Sequence, residues 1–253
     1  MTATMQLTVL GAGPAYTDRE GASGACYLVS HRSTTVLLDL GQGSFPRIFP
    51  LIRPEALDAI VVSHLHPDHF IDLVPLRHYL RYEFEPPRRV RVLGPSDLGA
   101  RLDALHASTG FAAEALQLET LGEGSHRVGE LLVQGLLVTH TEESYAVRVS
   151  PASGDGPGLV YSGDCGRAED IAPLVRPGDT LLAEVSFGAG PVPRGVAHLD
   201  GPGVGRLARS TRAGSVLLTH LLMGRDAEAA VASCRSEYAG PVEMVWPGSR
   251  LEV

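Results

Sequence analysis

The chain contains 253 residues, of which 44% are hydrophobic and 20% charged, and its formal net charge at pH 7 is −8. This composition is typical of a globular protein, and the acidic balance argues against a broad surface that grips nucleic-acid phosphates. Because no apolar run approaches the roughly 20 residues that a bilayer-spanning helix needs, we expect no membrane segment.

Strand-like runs rich in Val, Leu and Thr occur along most of the chain. In order they are QLTVLGAG, CYLVSH, TTVLLDLG, ALDAIVVSH, RVRVLGP, LLVQGLLVTH, YAVRVS, GLVYSGD, DTLLAEVSF, SVLLTHL and VEMVWPG. Between them lie segments with helical spacing, namely FPRIFPLI, LVPLRHYLRYEF, SDLGARLDALHAS, EDIAPLV, GVGRLARST and DAEAAVASCRSEY. This alternation predicts an α/β fold of layered sheets covered by helices. No linker divides the sequence, so we expect a single domain over residues 1–253.

Cysteine usage bears on the compartment. Cys26, Cys165 and Cys234 are widely spaced and form no CxxC pair, which predicts a reducing environment without a disulfide framework. The first residues, MTATMQLTVL, show no basic region and no small-residue cleavage site, so we expect no signal peptide. Together these features predict a cytoplasmic location.

Several apolar runs end in a polar residue that can bind a metal. VVSH ends at His64, LVTH at His140, VYSGD at Asp164 and LLTH at His220. Strand ends are where a rigid scaffold presents side chains into a shared cleft. One such residue alone is better explained as a hydrogen-bonded histidine or a turn aspartate. Their recurrence instead favours a common site.

The stretch SHLHPDHF, residues 63–70, crowds histidines together. His64 and His66 are two apart, so in an extended segment their imidazoles point the same way and can share one ion. Asp68 and His69 lie where the chain turns into a helix and can face a second ion. Imidazole suits zinc, and carboxylates also suit manganese or iron. We therefore expect two divalent ions, with zinc as the first choice.

This stretch, followed in order by His140, Asp164 and His220, resembles the five-part signature of the metallo-β-lactamase fold superfamily. The resemblance spans nearly the whole chain and implies a four-layer αββα sandwich with the metals at one edge. It implies hydrolysis by a metal-bridging hydroxide. It also implies that one metal is held by His64, His66 and His140, the other by Asp68, His69 and His220, with Asp164 between them.

A second segment, LAEVSFGAGPVPRGVAHLDGPGVGRLA, contains Glu184 at the end of an apolar run and then His198. The pair resembles the glutamate and histidine of the phosphodiesterase branch, which includes tRNA 3′-processing endonucleases. There the histidine protonates the leaving oxygen and the glutamate orients it. We take Asp68, Glu184 and His198 as the candidate catalytic residues. The competing interpretation is a surface histidine beside a buried, hydrogen-bonded glutamate.

The size of the substrate follows from what the sequence lacks. In tRNA-processing members, a long basic arm falls between the positions of His140 and Asp164, whereas here that interval reads as strand, tight turn, strand. The segments SHLHPDHFIDL, LGPSDLGARL, THTEESYAVRV and VYSGDCG resemble cyclic-nucleotide phosphodiesterases of actinobacterial type. This resemblance implies cleavage of a small phosphodiester, such as 3′,5′-cyclic AMP, to the 5′-monophosphate.

Other interpretations stay open. The chain is alternatively a tRNA 3′-end processing endonuclease, or a lactone or thioester hydrolase of the same fold. A di-iron oxidoreductase is disfavoured, because redox members usually carry an acidic residue where His66 stands, and a non-catalytic member commonly lacks ligands. As partners we expect a small phosphodiester, no membrane, no nucleic acid and, by analogy only, a second copy of the chain. Asp39 resembles the aspartate beneath the metal loop of this family, with a turn cap as the alternative.

Overall fold

A computed structural model describes residues 4–154 and 156–253. Its centre is a pair of seven-stranded mixed sheets. The first has the strand order β14-β1-β2-β3-β4-β5-β6. Its strands are β1 (Gln6–Gly11), β2 (Cys26–His31), β3 (Thr34–Leu38), β4 (Ala59–Val61), β5 (Val90–Gly94), β6 (Leu116–Thr120) and β14 (Arg250–Glu252).

The second sheet has the order β13-β12-β11-β10-β9-β8-β7. Its strands are β7 (Ser125–Val128), β8 (Leu131–Leu137), β9 (Tyr145–Pro151), β10 (Leu159–Tyr161), β11 (Thr180–Glu184), β12 (Ser215–Thr219) and β13 (Val242–Met244). Strands β10 to β13 run parallel to one another, whereas β7 to β10 pair antiparallel. The carboxyl ends of the parallel strands therefore share one edge.

Six α-helices within the described ranges cover the outer faces. They are α1 (Pro67–Phe70), α2 (Leu73–Tyr82), α3 (Leu98–His106), α4 (Ala168–Ile171), α5 (Gly201–Thr211) and α6 (Ala227–Arg235). Helices α1 to α3 pack on the first sheet and α4 to α6 on the second. Among the described residues, no helix is long and apolar enough to cross a bilayer.

The strands carry apolar side chains on both faces, which is why they read as continuous hydrophobic runs. In β3, Val36 and Leu38 enter the core between the sheets, whereas Leu37 packs under the helices. In β12, Leu217 faces the other sheet, and Val216 and Leu218 face the helices. Three cores thus separate four layers, and the expected αββα sandwich is confirmed.

Some predicted elements differ from the structure. The FPRIFPLI segment forms only a short 3₁₀ turn, Phe45–Arg47, because Pro50 has no N–H to continue the helical hydrogen bonding. The sequence reading also missed β6, β7 and β14. Each of these lies at the edge of a sheet and is partly exposed, so its residues include the polar side chains that hide a strand pattern.

The cysteines are buried and none forms a disulfide. They lie in separate places, with Cys26 in β2, Cys165 directly after Asp164 and Cys234 in α6. Burial raises the pKa of Cys165 and of Cys234 to about 12. These thiols are therefore protonated at neutral pH and belong to the packing.

A buried ion pair connects the strands of the second sheet. Arg148 in β9 donates from Nε and Nη2 to Asp179 at 2.8 and 2.9 Å, and both side chains are almost fully buried. Asp179 also accepts from the backbone N–H of Gly158 and of Arg176. The carboxylate thereby fixes the entries to β10 and β11, whose other ends carry Asp164 and Glu184.

We expect Asp179→Ala to lower the free energy of unfolding by about 3 to 5 kcal/mol, because it leaves the Arg148 guanidinium buried without its partner. Urea unfolding measures this change. The matched control is Arg32→Ala, which removes an exposed ion pair with Glu130 and should have a far smaller effect. Equal losses in the two variants would contradict a special role for the buried pair.

Candidate metal centre

The predicted strand-end residues meet at one edge of the sandwich. The segment that follows β4 supplies His64, His66, Asp68 and His69 from the first sheet. The second sheet supplies His140 after β8, Asp164 after β10, Glu184 at the end of β11 and His220 after β12. All of these side chains are brought together, and His198 joins them from the segment before α5.

The first group consists of His64, His66, His140 and Asp164, whose candidate ligand atoms all lie within 4.8 Å of one another. His140 Nε2 lies 3.1 Å from His66 Nδ1, and His64 Nε2 lies 3.8 Å from Asp164 Oδ2. His64 is fully buried, whereas His66 is exposed at the opening. Three imidazoles and one carboxylate are a donor set that suits zinc.

The second group consists of Asp68, His69, Asp164 and His220. His220 Nε2 lies 3.3 Å from Asp68 Oδ2 and 3.6 Å from Asp164 Oδ1, and His69 Nε2 lies 3.4 Å from the same Oδ1. On its other side, Asp164 Oδ2 faces His64 and His140. One carboxylate therefore offers a separate oxygen to each group, which is the geometry of a bridging ligand.

The residues fit divalent cations. His64 Nε2, His69 Nε2 and Asp164 Oδ1 are buried without a hydrogen-bond partner in the part of the chain that the structure describes. Such atoms are rare in native proteins, and all three point into the two groups. Burial and the neighbouring imidazole of His69 hold the pKa of His64 well below its usual value, which favours the neutral form that binds metals.

The bridging position also favours negative charge. Burial alone raises the pKa of Asp164, but the imidazoles of His220 and His69 outweigh it and hold that pKa well below the usual range. An ionised carboxylate surrounded by imidazoles is prepared to accept cations.

Asp39 lies directly beneath the second group. Its carboxylate accepts from His69 Nδ1 at 2.7 Å, from Tyr161 OH at 2.7 Å and from the backbone N–H and hydroxyl of Ser63 at 2.6 and 2.8 Å. The bond to Nδ1 leaves Nε2 of His69 for the centre. Asp39 is thus placed to orient His69, rather than to act only as the turn cap that the sequence also allows.

Two residues of the centre have a backbone conformation that is rare outside glycine. The φ angle is +59° at Asp39 and +56° at His220. The backbone N–H of His220 donates to the carbonyl oxygen of Ala12, in the segment after β1, at 3.2 Å. Packing from both sheets holds these strained positions, as is common where a site requires a particular side-chain direction.

Glu184 and His198 form the predicted pair. His198 Nδ1 lies 2.9 Å from Glu184 Oε1 and 3.9 Å from Asp164 Oδ2. Burial lowers the pKa of His198, but the hydrogen bond and the charge of Glu184 outweigh it, so the pKa is raised. The arrangement favours the protonated form of a partly exposed imidazole beside the two groups, and its Nε2 makes no hydrogen bond with a described residue.

Little in the sequence pattern predicts the hydroxyl groups that hydrogen-bond to these side chains. Ser186 donates to Glu184 Oε2 at 2.6 Å and lies 3.2 Å from His220 Nδ1. Tyr161 and Ser63 support Asp39 from different sheets. Ser63 precedes His64, and Ser186 lies two residues after Glu184. Their closeness to a polar residue that ends an apolar run is the one sequence signal that points to them.

A model of the β-lactamase superfamily domain matches residues 34–221, most of the chain. The chain belongs to the metallo-β-lactamase fold superfamily. Metallo-hydrolase YhfI of Bacillus subtilis, described as probable, is 28% identical over 86% of this chain and 87% of its own. A protein of Mycobacterium leprae without a described function is 29% identical over 99% of this chain and 89% of its own.

Solved structures agree on the fold. YhfI covers 99% of this chain and 100% of its own, with a TM-score of 0.87 and 22% identity. The short form of human tRNase Z has a TM-score of 0.71 and 18% identity, covering 98% and 99%. A diphosphatase of the PhnP family has a TM-score of 0.74 and 17% identity, covering 98% of each chain. These structures support the fold, whereas the family match, the similarity to the metallo-hydrolase YhfI and the His and Asp groups support a metallo-hydrolase that binds divalent metal.

We expect Asp39→Asn to weaken metal binding roughly 10- to 100-fold, because the amide loses the charge that orients His69. Asparagine tolerates the positive φ of this position, so the backbone is retained. Competition with a chromophoric chelator measures the affinity for zinc. Asp58→Asn is the control, since Asp58 is exposed and caps only Thr35. Unchanged affinity in Asp39→Asn would contradict the orienting role.

Proposed function

We propose that the protein is a dinuclear-metal phosphodiesterase that cleaves 3′,5′-cyclic nucleotides such as cyclic AMP to 5′-monophosphates. The observation that carries the proposal is the pairing of His198 with Glu184 beside two His and Asp groups that share Asp164. A lactone or thioester hydrolase needs an activated water, but a phosphodiesterase also benefits from a proton donor for its alkoxide leaving group.

The ligands are proposed residue by residue. One ion would be held by His64, His66 and His140, the other by Asp68, His69 and His220, with Asp164 between them. Zinc suits the imidazole-rich set best, and manganese or iron are the alternatives. Divalent cations there would supply Lewis-acid stabilisation of the phosphoryl oxygens and make water nucleophilic at neutral pH.

The chain's own residues would handle the protons. Water adds to phosphorus and loses a proton to solvent, the bond from phosphorus to the 3′ oxygen breaks, and His198 donates its Nε2 proton to that oxygen and regains one from solvent. Glu184 keeps the imidazole charged and holds Nδ1, while it accepts further bonds from Ser186 and from the backbone N–H groups of Cys165 and Leu199. The glutamate is therefore held rigidly in place.

Asp68 would act on the attacking water. Burial raises its pKa, but the hydrogen bond with His220 and the charge of His69 outweigh burial, so the pKa is lowered. Its Oδ2 faces His220, whereas Oδ1 makes no hydrogen bond within the described ranges. That free oxygen is available to orient water opposite the leaving group.

The connection between His140 and Asp164 supports a small substrate. Among the described residues it contains the loop of residues 141–144 and then β9 and β10, which pair antiparallel within the second sheet. A tRNA-gripping arm has no place there. The PhnP-family neighbour is a diphosphatase. The similarity to tRNase Z keeps RNA as the second candidate substrate.

We expect zinc- or manganese-loaded protein to convert cyclic AMP to 5′-AMP, and His198→Ala to lower kcat roughly 10²- to 10⁴-fold, because the leaving oxygen loses its proton donor. Chromatography of the products measures both. His126→Ala is the matched control, since His126 bonds only the backbone oxygen of Leu121, away from the centre.

Bound zinc, measured by mass spectrometry, should be the same in His198→Ala and the control. Cleavage of a 3′-extended tRNA precursor together with intact cyclic AMP would overturn the small-substrate proposal. Full activity of His198→Ala on cyclic AMP would refute the proton-donor role.

A further inference from the structure

A cleft of about 550 Å³ opens beside His66, next to the first histidine group. Its walls come from α1, α3, the loop between β5 and α3, and the loop between β8 and β9. A cavity of this size is in the range of small-molecule sites. Because His66 is one of its lining residues, a ligand in the cleft is adjacent to the proposed metal centre.

One face of α3 lines the cleft. Asp97, Arg101 and Leu105 are each four residues apart, so they form a stripe on the same side of the helix. Leu105 is a large apolar side chain that is 52% exposed. The Arg101 guanidinium and the Asp97 carboxylate make no hydrogen bond or ion pair with any part of the chain that the structure describes. The stripe is thus an apolar surface with unused charges.

The opposite wall is fixed in place. Glu143 accepts from the backbone N–H of Ser96 at 2.5 Å and from its hydroxyl at 3.0 Å, which ties the β8–β9 loop to the loop before α3. The neighbouring residue Glu142 also lines the cleft. Its carboxylate makes no hydrogen bond with another described residue. The two rims are therefore held together before any ligand binds, and one carboxylate remains available on this side.

We propose that this cleft binds the purine nucleoside half of the cyclic nucleotide, with Arg101, Asp97 and Glu142 at the edge of the base. The inference rests on the proposed function, since the phosphodiester must sit at the adjoining centre. An exocyclic amino group donates to the carboxylates, and ring nitrogens accept from the guanidinium.

The apolar side chains of the cleft bear on the size of the base that it would bind. Leu65 and Phe70 also line the cleft, although Phe70 is only 2% exposed. A purine buries more apolar area against such walls than a pyrimidine does, and burial of that area drives binding. The two unpaired carboxylates also repel the successive phosphates of a polynucleotide. The cleft thus favours a single nucleoside over a strand of RNA.

The first test measures the binding of adenosine to the zinc-loaded protein by NMR titration. Adenosine lacks a phosphate, so this measurement does not depend on hydrolysis. We expect adenosine to bind more tightly than cytidine, and Arg101→Ala to raise the Kd for adenosine about tenfold, as the loss of a charge-assisted hydrogen bond predicts. Leu105→Ala should also weaken binding. Arg32→Ala, at the distant β2–β3 turn, is the matched control and should leave the Kd unchanged.

The second test compares substrates. The control substrate is methyl 4-nitrophenyl phosphate, which has no nucleoside. In Arg101→Ala, the ratio of kcat/KM for cyclic AMP to kcat/KM for this control should fall about tenfold, through a higher KM for cyclic AMP. The side chains of Arg101 and Leu105 are both exposed, so we expect the two variants to fold, and thermal unfolding checks this.

The outcomes separate the two proposals. Adenosine binding that Arg101→Ala weakens, in a protein that hydrolyses no cyclic nucleotide, supports the nucleoside cleft and overturns the proposed reaction. An unchanged Kd for adenosine and an unchanged substrate ratio in Arg101→Ala overturn the cleft, even when cyclic AMP is hydrolysed. Displacement of adenosine by short single-stranded RNA at lower concentrations than by cyclic AMP also overturns it, since the cleft would then hold a strand.

Discussion

The centre depends on one carboxylate. Asp164 is buried and directs Oδ2 at the histidines of one group and Oδ1 at those of the other. The distances are 3.7 to 3.8 Å on the Oδ2 side and 3.4 to 3.6 Å on the Oδ1 side, and chain segments that leave both sheets set them. The packing of the two sheets therefore determines whether the groups meet. The apolar core between the sheets and the site at their edge are parts of one constraint.

The supports of the centre extend that constraint in both directions. Asp39 follows β3 of the first sheet, yet its carboxylate accepts from Tyr161 of the second sheet. Glu184 ends β11 and collects hydrogen bonds from segments on either side of it along the chain. Both acidic side chains are buried and fully hydrogen-bonded, so each can fix the direction of an imidazole without moving itself.

Much of this was predictable from the sequence, for a physical reason. A strand buried on both faces is a continuous apolar run, and a histidine or aspartate that ends such a run is conspicuous, as at His64, His140 and His220. The resemblance to a known fold then gave the layers. The edge strands β6, β7 and β14 escaped, because partial exposure mixes polar residues into them. Ser63 and Tyr161 escaped as supports of Asp39, because contacts between residues far apart in the chain leave no local pattern.

The three thiols have a use that follows from where they lie. Cys26 is in the first sheet, Cys165 beside Asp164 and Cys234 in a helix over the second sheet, and all are buried in the folded chain. Since the thiolate is the reactive form, an alkylating reagent modifies each position only when its own layer opens. The chain thus carries three native reporters of local opening, one of them next to the His and Asp groups, and the order in which they react would reveal which layer of the sandwich loosens first.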